Sequence, residues 1–197
     1  MKKLLLSIFA ILAVSVNAQN PIIKGLYSAD PTARVFNGKL YVYPSHDIIS
    51  PVEPERKWFC MADYHVYTTD NLTDWQDLGM ILDQKDVPWG NPTSYSMWAP
   101  DCIEKDGKYY FFFPANVKDG RGFGIGIAEA DKPEGPFKAW KKNIEGISGI
   151  DPCVLQGYDG KWYIYFAGGD VDDIWAIRPY VLECQGPDPL KDEWIEK

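Results

Sequence analysis

The sequence has few of the residues that build metal sites and nucleic-acid surfaces. It contains two histidines and four cysteines among 197 residues, and no two cysteines form a Cys-x-x-Cys pair. A zinc site is therefore not expected. Lysines and arginines number 20 against 28 aspartates and glutamates, which gives a net charge of −8. Because an acidic surface repels phosphate backbones, we expect no nucleic-acid partner.

Long apolar runs are absent after the first twenty residues. At the N-terminus, Lys2-Lys3 precede an apolar stretch from Leu4 to Val16, and Val16-Asn17-Ala18 has the small residues of a cleavage site. A stretch this short is typical of a secretory signal peptide rather than a membrane helix. We therefore predict a signal peptide over residues 1–18 and an exported protein, periplasmic or extracellular, with no membrane partner.

The four cysteines are spread widely: Cys60, Cys102, Cys153 and Cys184. An even count in an exported protein permits disulfides, and three full pairings are open. Cys102 and Cys153, however, lie inside apolar, strand-like segments. This favours buried free thiols that pack as small hydrophobes.

The chain repeats one phrase three times: an aspartate, an apolar strand, a tight turn at a Gly-Lys pair, and an aromatic strand. The aspartates and turn glycines are Asp30 with Gly38, Asp101 with Gly107, and Asp151 with Gly160. An Asn-Gly or Asp-Gly pair between strand-like runs is a strong hairpin signal. Repetition of short strands at this period predicts the radial arrangement of a β-propeller.

Each repeat can be divided into four strands, so the predicted fold is all-β. Residues 19–197 then form an arc of about three four-stranded blades. Closed propellers usually have about four to eight blades, and we therefore expect this to be the N-terminal part of a propeller whose C-terminal blades are missing. The insertions Asp47–Asp63 and Leu82–Met97 are predicted to lie on a rim, where binding loops are common.

Carboxylates and aromatic rings are the candidate functional groups. Aspartates at equivalent strand starts around one axis would share a cavity, and paired carboxylates are what glycosidic bond hydrolysis requires. Aspartates also cap turns, and the spacing alone favours neither interpretation. Aromatic residues make up 15% of the chain. They serve either as core fillers or as platforms for sugar rings.

Several motifs resemble the blade-opening sequences of glycoside hydrolase family 43. They are Tyr27-Ser28-Ala29-Asp30-Pro31, Trp98-Ala99-Pro100-Asp101 and Gly149-Ile150-Asp151-Pro152, supported by Tyr41–Asp47 and Tyr64–Trp75. The resemblance covers essentially all of residues 20–197. It implies a five-bladed propeller that acts on β-xylosides or α-L-arabinofuranosides with inversion, for which carboxylates about 6.5–9.5 Å apart leave room for water.

The resemblance also assigns roles. Asp30 matches the general base that activates water, and Asp151 matches the aspartate that tunes the pKa of the general acid. Further residues are expected to contact the sugar: Trp98, Asp101, His46 and Asp47. For His46 the alternative is a structural histidine whose ring nitrogens are satisfied within the protein.

One element of the family pattern is missing. The family's general acid is a glutamate of the fourth blade, and Glu183, Glu193 and Glu196 do not match it. The expected function is therefore hydrolysis of O-glycosidic bonds in pentose-containing plant polysaccharides or oligosaccharides, by a chain that lacks its acid. The alternatives are a non-catalytic glycan-binding propeller or degenerate remnant, and a retaining hydrolase of fructans.

No cofactor is expected for this chemistry. The resemblance implies that a calcium ion in the central channel is common, but the sequence shows no set of calcium ligands. The expected partner is a carbohydrate substrate, and nothing in the sequence predicts the oligomeric state.

Overall fold

The computed structural model describes residues 21–51, 59–120 and 122–168, together with the backbone of two later strands. The predicted signal peptide and the side chain of Cys184 lie outside these residues. Within them, no helix has the length and apolar character needed to cross a membrane.

The described strands form three antiparallel sheets of four strands, which we call blades 1 to 3. Blade 1 contains β1 (Ser28–Phe36), β2 (Lys39–Asp47), β3 (Met61–Thr69) and β4 (Gln76–Asp83). Blade 2 contains β5 (Asp101–Lys105), β6 (Lys108–Asn116), β7 (Phe123–Ala130) and β8 (Lys138–Ala139). Blade 3 contains β9 (Ile150–Gln156), β10 (Trp162–Ala167), β11 (Ile177–Cys184) and β12 (Trp194–Glu196). The predicted all-β arc of three four-stranded blades is confirmed.

Two of the predicted tight turns are two-residue hairpins. Asn37 and Gly38 have φ values of 51° and 79°, and Asp106 and Gly107 have 54° and 77°. Positive φ at both central residues defines the turn whose twist matches that of the flanking strands. Asparagine, aspartate and glycine are the residues that tolerate this conformation.

The third predicted turn is wrong in its length. Gln156 pairs directly with Trp162, so five residues separate the strands instead of two. The side chain of Asp159 stabilises the longer loop, because it accepts hydrogen bonds from the backbone N–H of Lys161 at 3.1 Å and the hydroxyl of Tyr163 at 2.6 Å.

Strand β6 explains how the blades pack. Phe111 and Phe113 face a core shared with blade 1, whereas Tyr110 and Phe112 face a core shared with blade 3. Alternate residues of a strand point to opposite faces. A strand covered on both faces therefore has a continuous apolar sequence, as this aromatic run has.

The first strand of each blade lies innermost. Strand β1 contacts β5, and β5 contacts β9. This arrangement carries Asp30, Asp101 and Asp151 on neighbouring strands, as the repeat predicted.

Within the described ranges, Cys102 and Cys153 are free thiols. Cys60 and Cys102 are buried, but Cys153 is exposed. The prediction that Cys153 is buried was wrong, because β9 turns this side chain away from the core that its neighbour Val154 enters.

Candidate active site

Asp30 and Asp151 occupy the same unusual backbone position in blades 1 and 3. Their φ values are 47° and 55°, in the left-handed region that non-glycine residues rarely adopt. Each precedes a proline, and each lies where the strand pairing shifts register. Strained residues and β-bulges concentrate at functional sites, where they direct a side chain. The two aspartates are therefore the strongest candidates for chemistry.

Asp101 is not the structural counterpart of those two aspartates. It pairs in regular register with Phe112, and its proline precedes it instead of following it. It also lies six residues before its turn glycine, whereas Asp30 lies eight residues before Gly38. The second copy of the repeat therefore lacks the bulge.

The carboxylates of Asp30 and Asp151 interact electrostatically. Partial desolvation raises the pKa of Asp151, and the negative charge of Asp30 raises it further. Both residues are nevertheless solvent-exposed. Where two solvent-accessible carboxylates lie close together, the negative charge of one favours protonation of the other.

Tyr64 connects this pair to Trp98. Burial raises the pKa of the Tyr64 hydroxyl well above its usual range, and the charge of Asp151 adds to the rise. The same hydroxyl donates a hydrogen bond of 2.6 Å to the backbone carbonyl of Trp98. The sequence did not indicate this role for Tyr64, because nothing distinguishes it from other aromatic strand residues.

Trp98 lines an open cleft of about 470 Å³, which we call the aromatic cleft. Its ring centroid lies 4.6 Å from that of Phe123 and 6.4 Å from that of Phe59. The remaining lining residues are polar: Asn91, Thr93, Ser94, Ser96 and Asn116. A few rings beside amides and hydroxyls suit a ligand that has both apolar faces and many hydroxyl groups.

The sugar contact predicted for Asp101 does not agree with its position. The residue is 2% exposed. Its carboxylate accepts hydrogen bonds from Arg34, Thr32 and two backbone N–H groups. Half-burial lowers the pKa of Arg34, but the hydrogen bonds and charge of Asp101 outweigh this and raise it. Asp101 is thus the buried member of an ion pair with the half-buried Arg34.

His46 and Asp47 lie at the end of β2 and have protein partners. His46 Nδ1 lies 3.0 Å from a carboxylate oxygen of Asp63, and His65 Nε2 lies 3.2 Å from the same oxygen. Burial raises the pKa of Asp63, but its hydrogen bonds to His65 and His46 outweigh burial and lower it. The Asp47 carboxylate accepts a long hydrogen bond of 3.4 Å from the backbone N–H of Cys60. The Nδ1 contact with Asp63 gives one His46 ring nitrogen a protein partner, and the sugar contacts of His46 and Asp47 stay predictions.

The His46–Asp63–His65 cluster does not fit a metal ion, although its ligand atoms lie within 4.8 Å of one another. The Nδ1 atom of His65 is buried and makes no hydrogen bond. The tautomer with Nε2–H donating to Asp63 is the one that leaves no buried N–H without an acceptor. A metal on Nε2 would place an N–H on Nδ1, where the structure offers no acceptor. Calcium prefers oxygen ligands, and this cluster offers it a single carboxylate, so it does not suit calcium either.

Comparison with known proteins agrees with the fold and the motifs. A profile of the glycosyl hydrolases family 43 matches residues 18–183. Xylosidase/arabinosidase 43A of Humicola insolens is 47% identical over 181 residues, which are 88% of this chain and 52% of the relative. The beta-xylosidase of Xylanibacter ruminicola is 46% identical over 148 residues, which are 72% of this chain and 45% of the relative.

The solved structures give the same result. The GH43_1 enzyme from Xanthomonas citri complexed with xylose superposes with a TM-score of 0.68 at 41% identity, over 82% of this chain and 52% of that one. The chain thus spans about half the length of the relatives it matches. The motifs, the bladed fold and these similarities lead to one conclusion: the chain belongs to family 43 of the glycosyl hydrolases.

Proposed function

We propose that the protein hydrolyses O-glycosidic bonds in pentose-containing plant polysaccharides or oligosaccharides, as a β-xylosidase or α-L-arabinofuranosidase that inverts configuration. The observation that carries the proposal is the pair of bulged, electrostatically coupled aspartates, Asp30 and Asp151. The relatives named xylosidase and arabinosidase support the choice of pentosides.

Asp30 is proposed as the general base. Its exposed carboxylate can accept a proton from the water that attacks the anomeric carbon. Asp151 is proposed as the modulator. A carboxylate beside a carboxylic acid disfavours ionisation of that acid, so Asp151 would keep a neighbouring acid protonated until it donates to the leaving oxygen.

The aromatic cleft is the proposed binding site for the rest of the carbohydrate. The rings of Trp98, Phe59 and Phe123 offer faces for stacking on sugar rings. Asn91 and Asn116 offer amide groups to the sugar hydroxyls. Tyr64 binds the Trp98 backbone and feels the charge of Asp151, which supports a cleft near the aspartate pair.

For the described residues we propose no general acid: none of their glutamates shares the bulged backbone of Asp30 and Asp151. Acid assistance is worth roughly 10²–10⁴-fold in rate when the leaving group is a sugar alkoxide. A nitrophenolate leaves without a proton, so we expect this chain to favour aryl glycosides over xylobiose by about that factor.

Proton NMR of the first sugar released from aryl β-xylosides and α-L-arabinofuranosides tests the reaction. We expect the inverted anomer to appear first. Retention would contradict the proposed base and would favour the fructan-hydrolase alternative, in which Asp30 attacks the sugar directly.

A second candidate is a glycan-binding propeller without turnover, which the aromatic cleft would also fit. Calorimetric titration with xylobiose distinguishes it. Binding with no release from any aryl glycoside would establish the binder and overturn the hydrolase. As a control, Asp70→Asn changes an exposed carboxylate of blade 1 whose only described ion pair is with Lys39.

We also propose that the protein is exported. The signal-peptide pattern of residues 1–18 supports this. So does similarity to a Streptomyces avermitilis protein named extracellular exo-alpha-(1->5)-L-arabinofuranosidase, 34% identical over 118 residues. Sequencing the N-terminus of the protein outside the cytoplasm should give Gln19, whereas an intact Met1 would contradict the proposal.

A further inference from the structure

The buried Asp101 carboxylate is bound by donors from all three blades. In blade 1, Thr32 Oγ1 donates at 2.9 Å, Arg34 Nε donates at 2.9 Å, and Arg34 Nη2 donates to the second oxygen. In blade 2, the backbone N–H of Cys102 donates at 2.8 Å. In blade 3, the backbone N–H of Val154 donates at 2.7 Å. Five hydrogen bonds leave this carboxylate little freedom to move.

The donors from blades 1 and 3 lie a few residues after the bulges at Asp30 and Asp151. Thr32 follows Asp30 by two residues, and Val154 follows Asp151 by three. Arg34 also reaches across to blade 3, where its Nη2 donates to the carbonyl of Val154 at 3.3 Å. The ion pair of Arg34 and Asp101 thus binds both strands that carry the candidate catalytic aspartates.

We propose that Asp101 is a positioning residue that, with Arg34, sets the separation of the Asp30 and Asp151 carboxylates. The roles of those two aspartates rest on the proposed function, but their separation does not require turnover. Burying the Asp101 carboxylate against a half-buried guanidinium is a costly way to gain stability alone, since apolar residues of similar volume often serve as well. Its directional hydrogen bonds specify where two strands sit relative to a third.

Electrostatic coupling between Asp30 and Asp151 reports their separation, because the energy of two charges varies inversely with distance. The test measures the pKa of Asp151 by carbon NMR of its side-chain carboxyl during a pH titration. This pKa is measured in the wild type, in Asp30→Asn, in Asp101→Asn and in the double variant. Asp101→Asn leaves the Arg34 charge unpaired, which itself shifts the pKa of Asp151. Taking the change in that pKa on Asp30→Asn within each background cancels this direct effect.

Asp30→Asn should lower the pKa of Asp151 in the wild-type background, and by less in the Asp101→Asn background. An equal drop in both backgrounds would overturn the proposal, and so would the absence of any drop in the wild type. A lower melting temperature with unchanged coupling would show that Asp101 only stabilises the fold.

If Asp101→Asn does not fold, Thr32→Val serves instead, because it removes one of the five donors and keeps a branched side chain. It should reduce the coupling in the same direction, and unchanged coupling would again overturn the proposal. The matched control is Asp70→Asn, whose exposed ion pair with Lys39 shares no group with the hydrogen bonds of Asp101 and should leave the coupling as it is. A wild type that shows the coupling but no turnover would reject the proposed function without rejecting the positioning role.

Discussion

Replacing Phe111 by alanine should remove a large part of the stability of the protein. Phe111 is fully buried in β6, between blades 1 and 2. Its ring centroid lies 4.9 Å from that of Tyr64, 5.3 Å from that of Phe137 and 5.7 Å from that of Tyr43. Truncation therefore opens a cavity among rings that cannot all move inwards.

The expected loss in the free energy of unfolding is about 3–5 kcal/mol, the range for deleting a buried aromatic side chain. Total stabilities are about 5–15 kcal/mol, so the variant should unfold at a much lower urea concentration. With a slope near about 2 kcal/mol per molar urea, the midpoint should fall by about 2 M. Because Phe111 packs on Tyr64, sugar binding at the adjoining cleft should weaken as well.

Urea unfolding followed by tryptophan fluorescence measures the change. Tyr158→Ala is the matched control, since Tyr158 is fully exposed and its loss should change stability by less than about 0.5 kcal/mol. A Phe111→Ala loss below about 1 kcal/mol, or one equal to the control, would refute the assignment of β6 to a core shared by two blades.

Three further predictions concern the site and its thiols. Tyr64→Phe should cost about 1–3 kcal/mol in urea unfolding and weaken xylobiose binding, because the buried Tyr64 hydroxyl no longer donates its 2.6 Å hydrogen bond to the Trp98 carbonyl; wild-type values for both would contradict the link. Because the folded protein raises the pKa of Asp151, ionisation of Asp151 destabilises the fold. Stability should rise as pH falls through that raised pKa towards the unfolded value near about 3.9, and Asp151→Asn should remove this part of the pH dependence and be more stable at neutral pH. A thiol reagent should label Cys153 before Cys60 or Cys102, as peptide mass spectrometry can show, because only Cys153 of these three is exposed.

Local sequence was enough to predict the blades. Asn37-Gly38 and Asp106-Gly107 each adopt the backbone that their residue types favour, so two hairpins follow from four residues. The aromatic run of β6 likewise reflects burial on both faces. Where the loop is stabilised by side chains further along, as at Asp159 and Tyr163, the same pattern gave the wrong turn length.

The chemistry of the three aspartates could be predicted only in part. Asp30 and Asp151 share an Asp-Pro pair and a bulge, but Asp101 has the order reversed. Its binding to Arg34 and to the Val154 backbone joins residues 67 and 53 positions away. Contacts across three blades depend on how the sheets pack, which no local pattern records. The same holds for His46 with Asp63, which meet across a strand pair.

The rate of hydrolysis of an activated aryl β-xyloside by Asp30→Asn, compared with Asp70→Asn, tests the proposed active site most directly. The activated leaving group makes the result independent of a general acid. Removal of the base should lower the rate by about 10²–10⁴-fold in Asp30→Asn, while Asp70→Asn should match the wild type. Equal rates in the two variants would contradict the assignment of Asp30 as the group that activates water.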